Sequence, residues 1–201
     1  MPEPPLTDGV VTLRPWTFDD VPAIAAACAD AEIARWLDLI PQPYTDRDAR
    51  EYVASSRQGW QHGESSNFAV RDAERDDVLG AIGIRWIDRR NGVGEAGYWV
   101  APAARGRGVA TRALCLVARW ALTDVAARRL QLRADELNEP SKRVAENAGF
   151  RREGVLRSSH YNARQNRSVD FVMYSLLPDD LVPLGSEAAQ GRHAPGTNPA
   201  A

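Results

Sequence analysis

The chain has 201 residues, 44% of them apolar, and its 25 basic and 27 acidic side chains leave a net charge of −2. That length holds one domain with or without tails, and a core of about 150 residues buries roughly 68–70% of its unfolded surface, so no disulfide or metal staple is required. A near-neutral balance argues against a polycation that wraps nucleic acid, and no segment reaches the roughly 18–20 apolar residues of a membrane span.

The lead-in, residues 1–9, reads as flexible, and Met1 to Pro5 lacks the basic and apolar regions of a signal peptide. Val10 to Arg14 reads as a strand stopped by Pro15. Thr17 to Asp20 is a capping signal before a helix carrying Val21, Ile24, Ala25 and Cys28, and Thr45 to Asp48 opens a second helix reaching about Trp60. An aromatic loop, Trp36 to Tyr44, lies between them. Strand signals at Asn67–Arg71, Val78–Ile87 and Glu95–Val100, separated by polar turns, predict an antiparallel meander.

A helix follows to about Val125, with an apolar stripe of Ala110, Leu114, Val117 and Ala121. Arg129–Ala134 is a strand, Asn138 caps a helix that Gly149 ends, and Phe150–Tyr161 and Ser168–Leu177 are the last two strands. The expected order is βααβββαβαββ: an α/β (α+β type) fold with a mixed, mostly antiparallel central sheet and helices on both faces. One domain spans 10–178, and 179–201 reads as a disordered tail, dispensable from Gly185 onward. Cys28 and Cys115 make neither CxxC nor a zinc spacing and read as two buried thiols in a reducing cytoplasm, with no metal site.

Charge is uneven along the chain: residues 1–60 hold five Arg against ten acids, whereas 101–170 hold thirteen Arg and Lys142 against seven. Either these are solvated faces, or one half meets an anion and the other a cation. The anion has a candidate seat. Arg105, Gly106, Arg107, Gly108, Val109 and Ala110 lie between a strand and a helix. Glycines there admit close backbone approach, and the unpaired N–H groups of a helix start bind phosphate, so a pyrophosphate is the natural guest. The GxGxxG run Gly92–Gly97 enters a strand instead of a helix, so it is not a dinucleotide fingerprint.

At these residues the chain resembles a family. Arg105-x-x-Gly108-x-Ala110 after Val100-x-Pro102, then Asn138 to Ser141 with Ala148-Gly149-Phe150, then Arg167 to Leu177, resemble in order the acetyl-CoA segments and ending of RimJ/RimL-like members of the GNAT superfamily of N-acetyltransferases. The resemblance covers about residues 8–178. It implies acetyl transfer from acetyl-CoA to a primary amine, either a protein N-terminal α-amine or a small-molecule amine, by direct attack in a ternary complex. The backbone of Tyr98, Trp99 and Val100 and the Arg105–Ala110 loop would hold the cofactor, and Asn138 would touch its pantetheine arm. Glu95 would take the amine proton, directly or through water.

The family's usual tyrosine acid falls on Ala145 here, which leaves Ser141 to protonate the thiolate. Alternatively Ser141 merely caps its helix. Trp36, Tyr44, Trp86, Tyr161 and Asp170 are candidate acceptor contacts, Asp170 either steering a cationic amine or pairing with Arg164 or Arg167. His160 lies beside the presumed entrance. The rival reading is a non-catalytic acyl-CoA-binding module of the same fold. A homodimer is compatible with either, and neither calls for nucleic acid or a membrane.

Overall fold

A computed structural model describes Pro2 and residues 5–181. The strands are β1 Leu6–Thr7, β2 Val11–Pro15, β3 Ser65–Asp72, β4 Val78–Asp88, β5 Val93–Val100, β6 Arg129–Asp135, β7 Arg151–Asn162 and β8 Arg167–Leu176. The helices are α1 Val21–Cys28, α2 Ala31–Trp36, α3 Asp46–His62, α4 Val109–Thr123 and α5 Glu139–Asn147. One eight-stranded sheet runs β1-β2-β3-β4-β5-β6-β8-β7. Every neighbouring pair is antiparallel except β5 with β6.

The expected mixed sheet and the order of its main elements are present. β4 shows why its sequence is an almost unbroken apolar run: Ile82 and Ile84 enter the core under α4, while Ala81 enters a second core under α1 and α3. Most of the α4 stripe is as read, with Leu114, Val117 and Ala121 fully buried in one core with Phe68, Leu130, Leu132 and Tyr174, whereas Ala110 is half-buried and Val109 takes the core position at that end. Truncating Leu114 to Ala would cost about 2–5 kcal/mol. Both capping boxes form, Thr17 with Asp20 and Thr45 with Asp48. Asp20 is also a strut: Arg14 donates to its two oxygens at 2.9 and 2.8 Å, and Arg71 of β3 adds a bond at 2.6 Å.

Four expectations change. The lead-in holds β1, paired through Leu6 and Thr7 with β2. The stretch between α1 and the aromatic loop holds a further helix, α2, capped by Asp30 Oδ1 accepting from the Ile33 amide at 3.0 Å. Cys28 is buried but Cys115 is exposed, because Cys115 is turned about 100° from Leu114 and so away from the stripe. The ordered chain passes residue 178: Pro178–Asp180 is a 3-10 turn, Asp180 pairs with Arg151 at 2.5 Å, and Leu181 packs on the main core. The expected disorder and dispensability from Gly185 lie outside the described residues. Among the described residues no helix is long and apolar enough to cross a membrane.

Candidate active site

The site begins with a fault in the sheet. β5 and β6 pair only at Val93, Gly94 and Glu95 against Arg129, Leu130 and Gln131, and beyond Glu95 they part. Ala101 N–H donates to Leu79 across β4, so strand alternation turns the N–H groups of Tyr98 and Val100 the other way, into the gap. A cavity of about 780 Å³ runs through it. Its walls include Ala96–Val100 of β5, Leu132–Asp135 of β6, the starts of α4 and α5, and α2 with residues of β7 and β8.

The loop before α4 has the geometry that the sequence suggests for an anion seat. Gly106 and Gly108 have φ of 72° and 73°, the left-handed region that side chains avoid, and a Cβ on either would meet nothing in the protein. No side chain caps α4, and Gly106, Gly108, Val109, Ala110 and Thr111 line the cavity. The uncapped amides and helix dipole therefore face it. The two arginines are less free than the sequence implies: Arg105 is ion-paired with Asp30 at the α2 cap, and Arg107 lies 3.6 Å from Asp72. Arg105 lines the cavity and Arg107 does not.

At the start of α5, Asn138 and Ser141 both line the cavity. Asn138 Oδ1 accepts from the Ser141 amide at 3.1 Å, so Asn138 does the capping and the Ser141 hydroxyl is left for other work. That hydroxyl lies 2.9 Å from Tyr98 Oη. Burial pushes the Tyr98 hydroxyl up to about 12, with the Ser141 hydrogen bond working against it, so Tyr98 keeps its proton at neutral pH. Ala145, where a tyrosine acid was looked for, is fully buried in the core. The sequence marked Tyr98 for its backbone; its side-chain role was missed, though strand alternation put it on the α5 face.

Glu95 faces the opposite side of the sheet from Tyr98, in a second cavity of about 290 Å³ lined also by Tyr44 and Tyr52, which shares Leu37 and Ala96–Trp99 with the large one. Its carboxylate accepts from Arg133 at 2.8 Å, Gln131 at 3.1 Å and Arg85 at 3.1 Å. Burial alone would raise this carboxyl, but the bonds from Arg133 and Gln131, the Arg133 charge and the Arg85 bond outweigh it and hold it below the usual range. Glu95 is thus an anionic clamp across β4, β5 and β6, and a weakened proton acceptor.

The acceptor candidates separate. Trp36 lines the large cavity, its Nε1 donating to Glu32 at 2.7 Å, and Tyr44 lines the small one, its hydroxyl pushed up chiefly by burial. Three others fall outside both walls. Trp86 is packed against the main core, and Tyr161 is exposed with its hydroxyl on Asn166. Asp170 accepts the Ser158 amide at 2.7 Å and pairs with neither arginine expected for it. In their place the structure brings in Asp38, 2.8 Å from His160 Nε2 on the wall of the large cavity. Residues 122 apart in sequence give no local signal of that contact.

The family model described as an acetyltransferase (GNAT) domain matches residues 11–151. The prophage-derived N-acetyltransferase YokL of Bacillus subtilis (strain 168) is 30% identical over 150 residues, covering 73% of this chain and 79% of that protein. The ribosomal-protein-serine acetyltransferase of Escherichia coli (strain K12) is 26% identical over 117 residues, covering 58% and 64%. The structure of Mycobacterium smegmatis RimJ, in complex with CoA-disulfide, superposes with a TM-score of 0.77 at 24% identity, covering 88% of this chain and 87% of that one. With the split sheet, the glycine loop and the uncapped helix in the matched order, the chain belongs to the GNAT family of acetyltransferases, enzymes that draw their acetyl group from acetyl-CoA.

Proposed function

We propose that this enzyme acetylates a primary amine, a protein N-terminal α-amine or a small-molecule amine, by direct attack within a ternary complex. One observation carries the reading: a single cavity joins the uncapped α4 start to the α2–β7 side through the β5–β6 gap, so a thioester and an amine can meet inside it. The amides of Gly106–Thr111 receive the pyrophosphate. The N–H groups of Tyr98 and Val100 offer donors to the thioester oxygen as it gains charge. Ser141 hands a proton to the departing sulfur, and Tyr98, hydrogen-bonded behind it, is the donor that replenishes it. The α4 start, the gap side of β5 and Asn138 are thus the parts that would hold acetyl-CoA.

The ribosomal-protein acetyltransferase among the relatives supports a protein α-amine as acceptor and the cytoplasm as its location. A panel of peptides with free α-amines and of small amines, mixed with acetyl-CoA and read by thiol release and product mass, tests this. Acetyl-CoA binding without thiol release from any amine would favour the non-catalytic module instead.

A further inference from the structure

We propose that His160, oriented by Asp38, takes the proton from the incoming ammonium, and that Glu95 does not. The inference rests on the acetyl-transfer reading above and adds to it the base on the acceptor side. His160 lines the large cavity at its α2–β7 end, with Asp38 and Phe171 beside it. Its ring is tilted on Phe171 with centroids 5.9 Å apart, and its Nε2 lies 2.8 Å from Asp38 Oδ2. When Nε2–H donates to Asp38, Nδ1 carries the lone pair that accepts a proton. The loop holding Asp38 is itself fixed, because Arg164 donates to the carbonyls of Asp38 and Ile40 at 3.1 and 2.7 Å. A carboxylate that fixes the tautomer and steadies the imidazolium is the arrangement a histidine base needs.

The other charged groups at that end are already committed. Glu32 of α2 accepts from Trp36, Asp135 of β6 is paired with Arg167, and Arg133 of β6 is bound to Glu95. Glu95, with three donors on its carboxylate, is the poorer proton acceptor. In balance, His160 takes one proton from R–NH3+. The free amine then forms the C–N bond while the C–S bond breaks, with its electron pair going to sulfur. The thiolate takes a proton from Ser141, the surplus proton on nitrogen returns to the Ser141–Tyr98 pair through water, and His160 releases its proton to solvent.

The test uses the full chain with acetyl-CoA and the same amine panel. His160→Gln and His160→Asn should keep acetyl-CoA affinity and fold but lose about 10²-fold or more in kcat/KM. Added imidazole should restore part of the rate in His160→Ala. Asp38 is a positioning residue: Asp38→Asn should lower kcat with the KM for acetyl-CoA nearly unchanged, and Asp38→Glu, which keeps the carboxylate, should recover part of that loss. The inference is overturned if both His160 variants turn over at the parent rate, or if Glu95→Gln abolishes turnover while His160→Gln keeps it. Failure of the parent enzyme to acetylate any amine of the panel overturns the acetyl-transfer reading itself, a result distinct from either.

Discussion

Tyr98 Oη and Ser141 Oγ lie 2.9 Å apart, joining the middle of β5 to the first turn of α5 across the cavity. A chain without the tyrosine at position 145 thus keeps a phenol at its serine, delivered from a strand instead of a helix. Ser141→Ala should lower kcat by about 10²–10⁴-fold with acetyl-CoA affinity nearly unchanged, if proton donation to sulfur limits the rate. Tyr98→Phe removes a hydroxyl that lies 2.9 Å from Ser141 Oγ and donates to the Ser141 carbonyl at 3.3 Å, and losing about 1 kcal/mol at the Oγ contact should lower kcat about 5-fold. Stopped-flow measurement of the chemical step is the check. Full kcat in Ser141→Ala, with chemistry rate-limiting, would mean that solvent protonates the thiolate.

Gly108→Val should abolish measurable acetyl-CoA binding. The backbone there sits at φ 73°, which costs a side chain roughly 1–2 kcal/mol, and the new atoms would stand where the pyrophosphate is proposed to bind. Calorimetric titration reads the loss; affinity equal to the parent's would put the pyrophosphate elsewhere.

Asp20→Asn should destabilise the fold by about 3 kcal/mol at pH 7, because Arg14 and Arg71 then face a neutral amide within a partly buried cluster. Burial alone would raise the Asp20 carboxyl, but the bonds from Arg14 and the Thr17 amide, with the charges of Arg14 and Arg71, lower it. A lowered carboxyl contributes stability above its unfolded pKa of about 3.9, and that contribution disappears as pH falls through the folded value. Urea melts of parent and variant should therefore differ at pH 7 and converge well below pH 4.

In the native protein one thiol should react with an aromatic disulfide reagent and the second only after unfolding. Cys115 is exposed, whereas burial pushes the Cys28 thiol up to about 12. Two fast equivalents in native buffer would show that α1 opens readily.

What the sequence could disclose followed the reach of its signals. Capping boxes at Thr17 and Thr45, the α4 stripe and the Gly106–Gly108 loop are encoded within a few residues and were legible. α2 has a cap in Asp30 but only six residues, too few to display a period. Trp86 looked like an acceptor wall because an aromatic ring has the same appearance in a core and in a site. The uneven charge was legible, but not its use: Asp8 reaches Arg112 and Asp30 reaches Arg105, so part of the acidic first section is paired with the basic later section within the molecule. Those pairings follow from tertiary contact, which no window of sequence displays.

With only three residues of β5 laddered to β6, the backbone from Ala96 to Val100 has one strand neighbour, β4, just as the facing stretch of β6 from Leu132 to Asp135 has only β8. Its gap-side amides should exchange with deuterated water far faster than those of Val93–Glu95. An acetyl-CoA arm lying in the gap, as proposed above, would supply the missing hydrogen-bond partners, which would make the co-substrate a removable structural part. At a hundred times its dissociation constant it would add about 2.7 kcal/mol to the stability of the native state. The concentration of the acetyl donor would then set this protein's resistance to an added protease as well as its rate.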